Sequence, residues 1–209
     1  MSRDLQAIAQ RVVELIPNDS VVGLGTGHAA AAFIHALGQK VAGGFRVRGI
    51  PTSQASAELA QSLGIALTTF DQVESIDVDV DGADEVDPRG NLIKGYGGAL
   101  VREKIVAEAS RRVVILVGDE KLVPQLGSHG ILPVEVAPFA LQTCSRRLAG
   151  LGFAPEARRR DGRLFVTDNG NHILDCRIQP LPRPEETERA IRDIPGVVGT
   201  GLFLGMAPT

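Results

Sequence analysis

The chain has no tryptophan, one tyrosine and only two cysteines in 209 residues. Cys144 and Cys176 show neither metal-ligand nor redox spacing, so two reduced, partly buried thiols are expected. No run is long and apolar enough to span a membrane. The opening MSRDLQAIAQRVVELI alternates polar with apolar residues and lacks the unbroken apolar stretch of a signal peptide, which points to a cytoplasmic protein. Excess positive charge is missing as well. The net charge is −3, which argues against a nucleic-acid partner. The basic run Arg158-Arg159-Arg160 has no interleaved aromatics and reads as a solvated strand end. Internal repeats and low-complexity tracts are absent.

One further absence is local. From Ser20 to Ala57 there is no Asp or Glu, whereas Asp71 to Asp87 carries eight acids. An acid-free segment followed by an acidic one suits a site that holds an anion at one end and moves protons at the other. With 44% hydrophobic and 22% charged residues, the chain can bury an ordinary core.

What is present reads as alternating strands and helices. Leu5, Ile8, Ala9, Val12, Leu15 and Ile16 recur at helical spacing, and Pro17-Asn18-Asp19 ends that helix. Ser20–Leu24 is a short strand, followed by Gly25-Thr26-Gly27 and an alanine-rich helix closed by Gly38. A strand, a glycine turn and a helix N-terminus make an anion site, because free N–H groups and the helix dipole favour negative charge. The dinucleotide fingerprint fails at His28, where a third glycine is required, and no acid follows the second strand. The P-loop pattern is also absent, so a single phosphate is favoured over NAD or ATP. Further strands at 45–50 and 65–68, around the helix from Ser53 to Leu63, predict a parallel sheet with helices on its faces.

The segment Asp77–Lys104 concentrates five aspartates, two glutamates and two lysines around glycines. Ile76, Val78 and Val80 alternate with Asp77, Asp79 and Asp81, the period of a strand. A calcium loop is rejected because its twelfth position is Pro88, which has no carboxylate. Asp77 and Asp79 read as strand-edge or solvated acids. Asp81 and Asp84 fall at the carboxyl end of a parallel strand, where open α/β sheets place ligands. Lys94 follows a turn at 87–91, and Gly95, Gly97 and Gly98 lead into a helix bearing Glu103. A carboxylate, a lysine and exposed backbone amides suit proton transfer beside a carbonyl, one taking the proton and the others holding the oxyanion. The acids do not have metal-ligand spacing, and neither metal nor cofactor is implied.

From residue 131 the order changes to strand, helix, strand, a hairpin across Asp168-Asn169-Gly170-Asn171, helix and strand. That order is ferredoxin-like. The expected organisation is a Rossmann-like catalytic domain over 1–127 and a smaller ferredoxin-like α+β domain over 128–204, with 205–209 returning to the first.

DGADEVDPRGNLIKGYGGALVREK, with VGLGTG, PTSQAS, GDEKLV, LPVEV, TDNGNHILD and IPGVVGTGLF in the same order, resembles type A ribose-5-phosphate isomerase over nearly the whole chain. The resemblance implies an aldose–ketose isomerase of the pentose phosphate pathway that interconverts D-ribose 5-phosphate and D-ribulose 5-phosphate. It implies Glu103 as the base, Asp81 and Asp84 in ring opening and hydroxyl contacts, and Lys94 at the enediolate oxygen. Thr26, Gly27, His28, Ala29, Gly82, Ala83, Gly95, Tyr96, Gly97 and Lys121 would line a sugar phosphate, and association as homodimer or homotetramer is expected. The alternatives are a non-catalytic sugar-phosphate-binding regulatory module and an amino-sugar-phosphate deaminase of related fold.

Three departures from the family pattern stand out. His28-Ala29 replaces a Ser-Thr pair, and Tyr96 replaces a glycine. The chain also stops at Thr209, where the family continues through a final strand of the first sheet, so sheet-edge protection is expected to differ.

Overall fold

Residues 3–206 and 208 are described by the computed structural model. In chain order its elements are α1 (Arg3–Val13), β1 (Ser20–Leu24), α2 (His28–Ala42), β2 (Val47–Pro51), α3 (Gln54–Ser62), β3 (Ala66–Leu67) and β4 (Val78–Gly82). Next come β5 (Glu85–Val86), β6 (Leu92–Ile93), α4 (Leu100–Glu108), β7 (Val113–Leu116), β8 (Ile131–Val136), α5 (Leu141–Gly150) and β9 (Ala154–Ala157). The last are β10 (Arg159–Arg160), β11 (Arg163–Leu164), β12 (His172–Arg177), α6 (Pro184–Arg192), β13 (Val197–Thr200) and β14 (Leu202–Phe203). They gather into two compact units. The first holds Met1–Gly82, Arg102–Asp119 and Met206–Thr209, and the second Ala83–Val101 and Glu120–Gly205. Of the terminal residues expected to return to the first sheet, Ala207 and Thr209 lie outside the described residues.

The first unit is built on a parallel sheet in the order β3-β2-β1-β4-β7. Alternation along β1 and β4 sends Val22, Leu24, Val78 and Val80 to one face, against Phe33, Ile34 and Leu37 of α2 and Ala9, Val12 and Val13 of α1. Val21, Ile50 and Ile76 go to the other face, against Val106 of α4. Both faces are therefore covered, as a parallel sheet requires. Gly38 does not end α2, which runs on to Ala42. A Cβ at Gly38 would lie 2.7 Å from that of Leu63, so this glycine permits close packing rather than a stop.

The expectation of edge or solvated acids fails for Asp79. β4 is an interior strand, paired with β1 and β7, and Asp79 is 1% exposed. Register puts Gly23 opposite it, and a Cβ there would come within 2.4 Å of Asp79 Oδ1. The missing side chain makes the room. Asp77 stays partly exposed, accepts the Val21 N–H at 2.8 Å and lies 3.5 Å from Arg111.

The second unit has an antiparallel sheet in the order β13-β8-β12-β9, the ferredoxin-like order, and a small three-stranded sheet β14-β6-β5. Leu132, Val134 and Val136 of β8 and Leu174 and Cys176 of β12 pack on Leu148 of α5 and Ile191 of α6. The hairpin expected across 168–171 is not formed. β12 pairs with β8 and β9, while β11 pairs with β10 across Asp161-Gly162. Both turn residues have positive φ, 52° and 76°, as a two-residue I′ turn needs. The 168–171 loop is closed by the Thr167 N–H on the Asn171 carbonyl and the Gly170 N–H on the Thr167 carbonyl, both at 2.9 Å, and by a side chain beneath it. Glu135 of β8, fully buried, accepts on Oε1 from Thr167 Oγ1 at 3.0 Å, Asn169 Nδ2 at 3.1 Å and Asn171 Nδ2 at 2.9 Å. A buried donor stripped of its acceptor costs about 1–3 kcal/mol. Thr167 is the buried one of the three donors, so Glu135→Ala should lose about 1–3 kcal/mol in urea unfolding, and Glu135→Gln, which keeps an acceptor, distinctly less.

Candidate active site

In the first unit the candidate residues Thr26, Gly27, His28, Ala29, Asp81 and Gly82 collect where β1 and β4 end. A Cβ at Gly25 would lie 2.2 Å from Asp81, so Asp81 occupies space that only glycine leaves open. The carboxylate is 1% exposed, and its Oδ1 accepts the Thr26 N–H at 3.1 Å and its neighbour Gly82's at 2.7 Å. Gly27, at φ 103°, caps the start of α2 without a side-chain bond, and His28 and Ala29 begin the helix. Ala29 Cβ sits 3.3 Å from where a Gly82 Cβ would be, so the tip of β4 meets the first turn of α2 closely.

The hydroxyl of Thr26 joins a cluster that the PTSQAS segment supplies. Thr52 Oγ1 is 2.7 Å away and Ser53 Oγ 2.8 Å, while Ser56 Oγ donates to the Gly25 carbonyl at 2.6 Å. Ser53 also caps α3 by accepting the Ser56 N–H at 3.1 Å. A cleft of about 320 Å³ borders Thr26, Gly27, His28 and Ser56. His28 is exposed at the protein surface. Glu103, in the first turn of α4, is 3% exposed.

The second unit carries the rest. Lys94, 4% exposed, is fixed by its own N–H on the Gly201 carbonyl at 2.9 Å, and its Nζ lies 5.6 Å from the centre of the Phe203 ring. Gly95 and Gly98 adopt φ of 111° and 89°, and a Cβ on Gly95 would meet Leu100 at 2.9 Å. Those two positions require glycine. Tyr96 between them has no positive φ, which is why a tyrosine can stand there. Its ring is 38% exposed and its hydroxyl lies 3.4 Å from the Ile131 carbonyl oxygen.

Asp84 accepts the Tyr96 N–H on Oδ2 at 3.0 Å. Burial pushes its carboxyl above the ordinary range, and the Tyr96 hydrogen bond and the charges of Lys94, Lys121 and Arg158 offset only part of that. Lys121 closes a 3-10 turn and is half-buried, not the free surface lysine its position alone suggests. Ala83 joins β4 to Asp84 in the chain and is half-buried.

Two features were not legible beforehand. Glu85 is fully buried and takes the N–H groups of Gly127 and His129, both at 2.6 Å. Arg158, read as part of a solvated run, has a side chain only 15% exposed and contacts the Gly95 and Tyr96 carbonyls. No sequence signal separates it from Arg159 and Arg160, which are exposed.

The parallel sheet and the glycine turn that ends β1 define an α/β protein. Residues 48–209 match the family model of ribose 5-phosphate isomerase A (phosphoriboisomerase A). The chain is 53% identical to ribose-5-phosphate isomerase A of Gloeobacter violaceus and 48% identical to that of a Roseiflexus species, each over 97% of this chain and 88% of the relative. Its fold matches a solved D-ribose-5-phosphate isomerase in complex with phospho-erythronic acid, with TM-score 0.93 and 38% identity over 99% of this chain and 93% of that one. The ribose 5-phosphate isomerase A of Methanocaldococcus jannaschii gives 0.91 and 39%, over 97% and 92%. This chain belongs to the ribose 5-phosphate isomerase A family.

The raised Asp84 pKa has a measurable consequence. Its ionised form is less favourable folded than unfolded, so its contribution to stability is best below the unfolded carboxylate pKa of about 3.9 and worsens as pH rises through the folded value. Asp84→Asn keeps an acceptor for the Tyr96 N–H and should raise Tm at pH 7, with the advantage shrinking towards pH 4. A variant no more stable than the parent at pH 7 would count against the burial argument.

Proposed function

We propose that this chain interconverts D-ribose 5-phosphate and D-ribulose 5-phosphate through an enediolate, with Glu103 as the base. One observation supports the residue assignment above the others. Asp81, Lys94 and Glu103 lie within 23 positions of one another in sequence, and each is at least nine-tenths buried. Withdrawing three ionisable groups from water is expensive, and buried titratable groups so concentrated are characteristic of sites that move protons.

In this reading an Asp81 or Asp84 carboxylate takes the anomeric hydroxyl proton as the C1–O4 bond breaks and delivers it to O4, giving the free aldehyde. Glu103 removes the proton from C2, and the electron pair forms the C1–C2 double bond as O1 becomes an oxyanion. Lys94 and the N–H groups of the glycine segment hold that charge. Glu103 then returns the proton to C1 while the proton of the O2 hydroxyl passes to O1, leaving the C2 ketone. Low water access keeps the carboxylate basic enough to act near neutral pH. The phosphate is placed at Thr26–Ala29, where the glycine turn and the start of α2 present N–H groups. Gly82, Ala83, Gly95, Tyr96, Gly97 and Lys121 line the sugar. A phosphorylated four-carbon acid, as the solved relative holds, presents two carboxylate oxygens much as the enediolate presents O1 and O2.

We also assign the protein to the cytoplasm, in keeping with two buried free thiols, and to a homodimer or homotetramer, in keeping with the fully exposed Phe139. A monomeric mass in sedimentation would discard the second assignment. The base is tested with Glu103→Gln in an assay that follows ribulose 5-phosphate. The variant should keep its circular dichroism and Tm and lose about 10²–10⁴-fold in kcat. Near-normal turnover would remove Glu103 from the role.

A further inference from the structure

Arg158 lies between β9 and β10 with its backbone held on both sides. Its N–H donates to the Ile173 carbonyl at 2.8 Å, and its own carbonyl accepts from the Phe165 N–H at 2.9 Å. Nε and Nη2 form a two-pronged pair with Asp175 of β12, at 2.8 Å to Oδ2 and 2.5 Å to Oδ1. That leaves Nη1, which donates to the Gly95 carbonyl at 2.8 Å and the Tyr96 carbonyl at 3.1 Å. The Gly95 carbonyl and the Tyr96 N–H belong to one peptide group, and that N–H is the one received by Asp84. A continuous chain thus runs from Asp175 through Arg158 and the 95–96 peptide to Asp84. Hydrogen bonds in series polarise one another, so a guanidinium on the carbonyl makes the N–H a better donor to the carboxylate.

Phe165 pins the same segment further on. Its Cζ would lie 2.6 Å from a Cβ on Gly98, and Arg158 and Arg160 sit 5.9 and 4.7 Å from its ring centre. A purely structural ion pair would account for the two contacts to Asp175. It gives no reason for Nη1 to reach two successive carbonyls of a different segment.

We propose that Arg158 is a positioning residue for the isomerisation, fixing the Gly95–Gly98 segment and aiming the Tyr96 N–H at Asp84. The inference rests on the reading above in which that segment lines the sugar. Arginine suits the task because its fork can grip Asp175 on one edge and still present two N–H groups on the other, which lysine cannot. Other groups also act on Asp84. Lys94 and Lys121 favour its charge, Glu85 adjoins it, and His129 Nδ1 lies 3.2 Å from its backbone oxygen. The Tyr96 hydroxyl, raised by burial and by Asp84, Glu85 and Asp175, stays protonated and adds no charge.

The test uses the full chain with Arg158→Gln and Arg158→Lys and two readouts: kcat/KM for ribose 5-phosphate across pH, and the Asp84 carboxyl titration followed by ¹³C NMR. Arg158→Gln should lower kcat/KM by about 10- to 100-fold, the scale of a misplaced substrate-holding segment, and shift the Asp84 titration to higher pH. Arg158→Lys keeps the charge and loses the fork, so the titration should return towards the parent while kcat/KM recovers little. Should Arg158→Gln fail to fold, the lysine variant carries both readouts. An unmoved Asp84 titration in folded Arg158→Gln, or a shifted titration with unchanged kcat/KM, would overturn the proposal. An inactive parent would instead strike the isomerase reading, leaving the titration to decide the link to Asp84.

Discussion

A carboxylate can be buried inside a parallel sheet only if something makes room for it and something satisfies it. Here β1 does both. Gly25 leaves the volume that Asp81 fills, and the Thr26 and Gly82 N–H groups donate to its Oδ1. Gly23 leaves the volume for Asp79 two residues back along the pair of strands. The glycine turn after β1 therefore has two duties. It opens the start of α2, and it admits an acid from the neighbouring strand. A methyl at Gly25 would displace Asp81 without touching any ligand, since overpacking a filled interior forces backbone or side chain to move.

The second unit meets the same constraint by other means. Glu85 is satisfied by the backbone N–H groups of Gly127 and His129, and one oxygen of Glu135, Oε1, by the side chains of its loop. Asp84 has a single peptide N–H from Tyr96, and its carboxyl is pushed up accordingly. The contrast is between acids that receive several hydrogen bonds and one that receives a single peptide N–H.

The strands β1, β2, β4, β7, β8 and β12 were legible because runs of β-branched and apolar residues between turn signals have few other ways to be buried. Glycine was harder to interpret. Gly38 looks like a helix stop and is a packing contact, because the preference for glycine at a helix end and at a close approach leaves the same letter. Asp161-Gly162 makes the tight hairpin, while the equally suggestive Asp168-Asn169-Gly170 does not join paired strands. Strand pairing is a long-range choice that turn chemistry alone does not settle. Which unit residues 83–101 pack with was likewise decided by tertiary contacts.

By itself the sequence determined the kinds of chemistry available. It set an acid-poor glycine turn beside a segment dense in Asp, Glu and Lys, in an order that matches one family. Burial needed the fold. Asp79 and Asp81 are two residues apart on one strand and both are buried, although a reading by position along the strand divides them into a solvated acid and one at the ligand-binding end. Arg158 is one of three adjacent arginines, and only the sheet register beneath it turns its guanidinium towards Asp175 and the glycine segment. Local pattern specifies which residues can ionise. The register of neighbouring strands specifies which of them lose water, and desolvation is what makes an ordinary carboxylate or guanidinium useful.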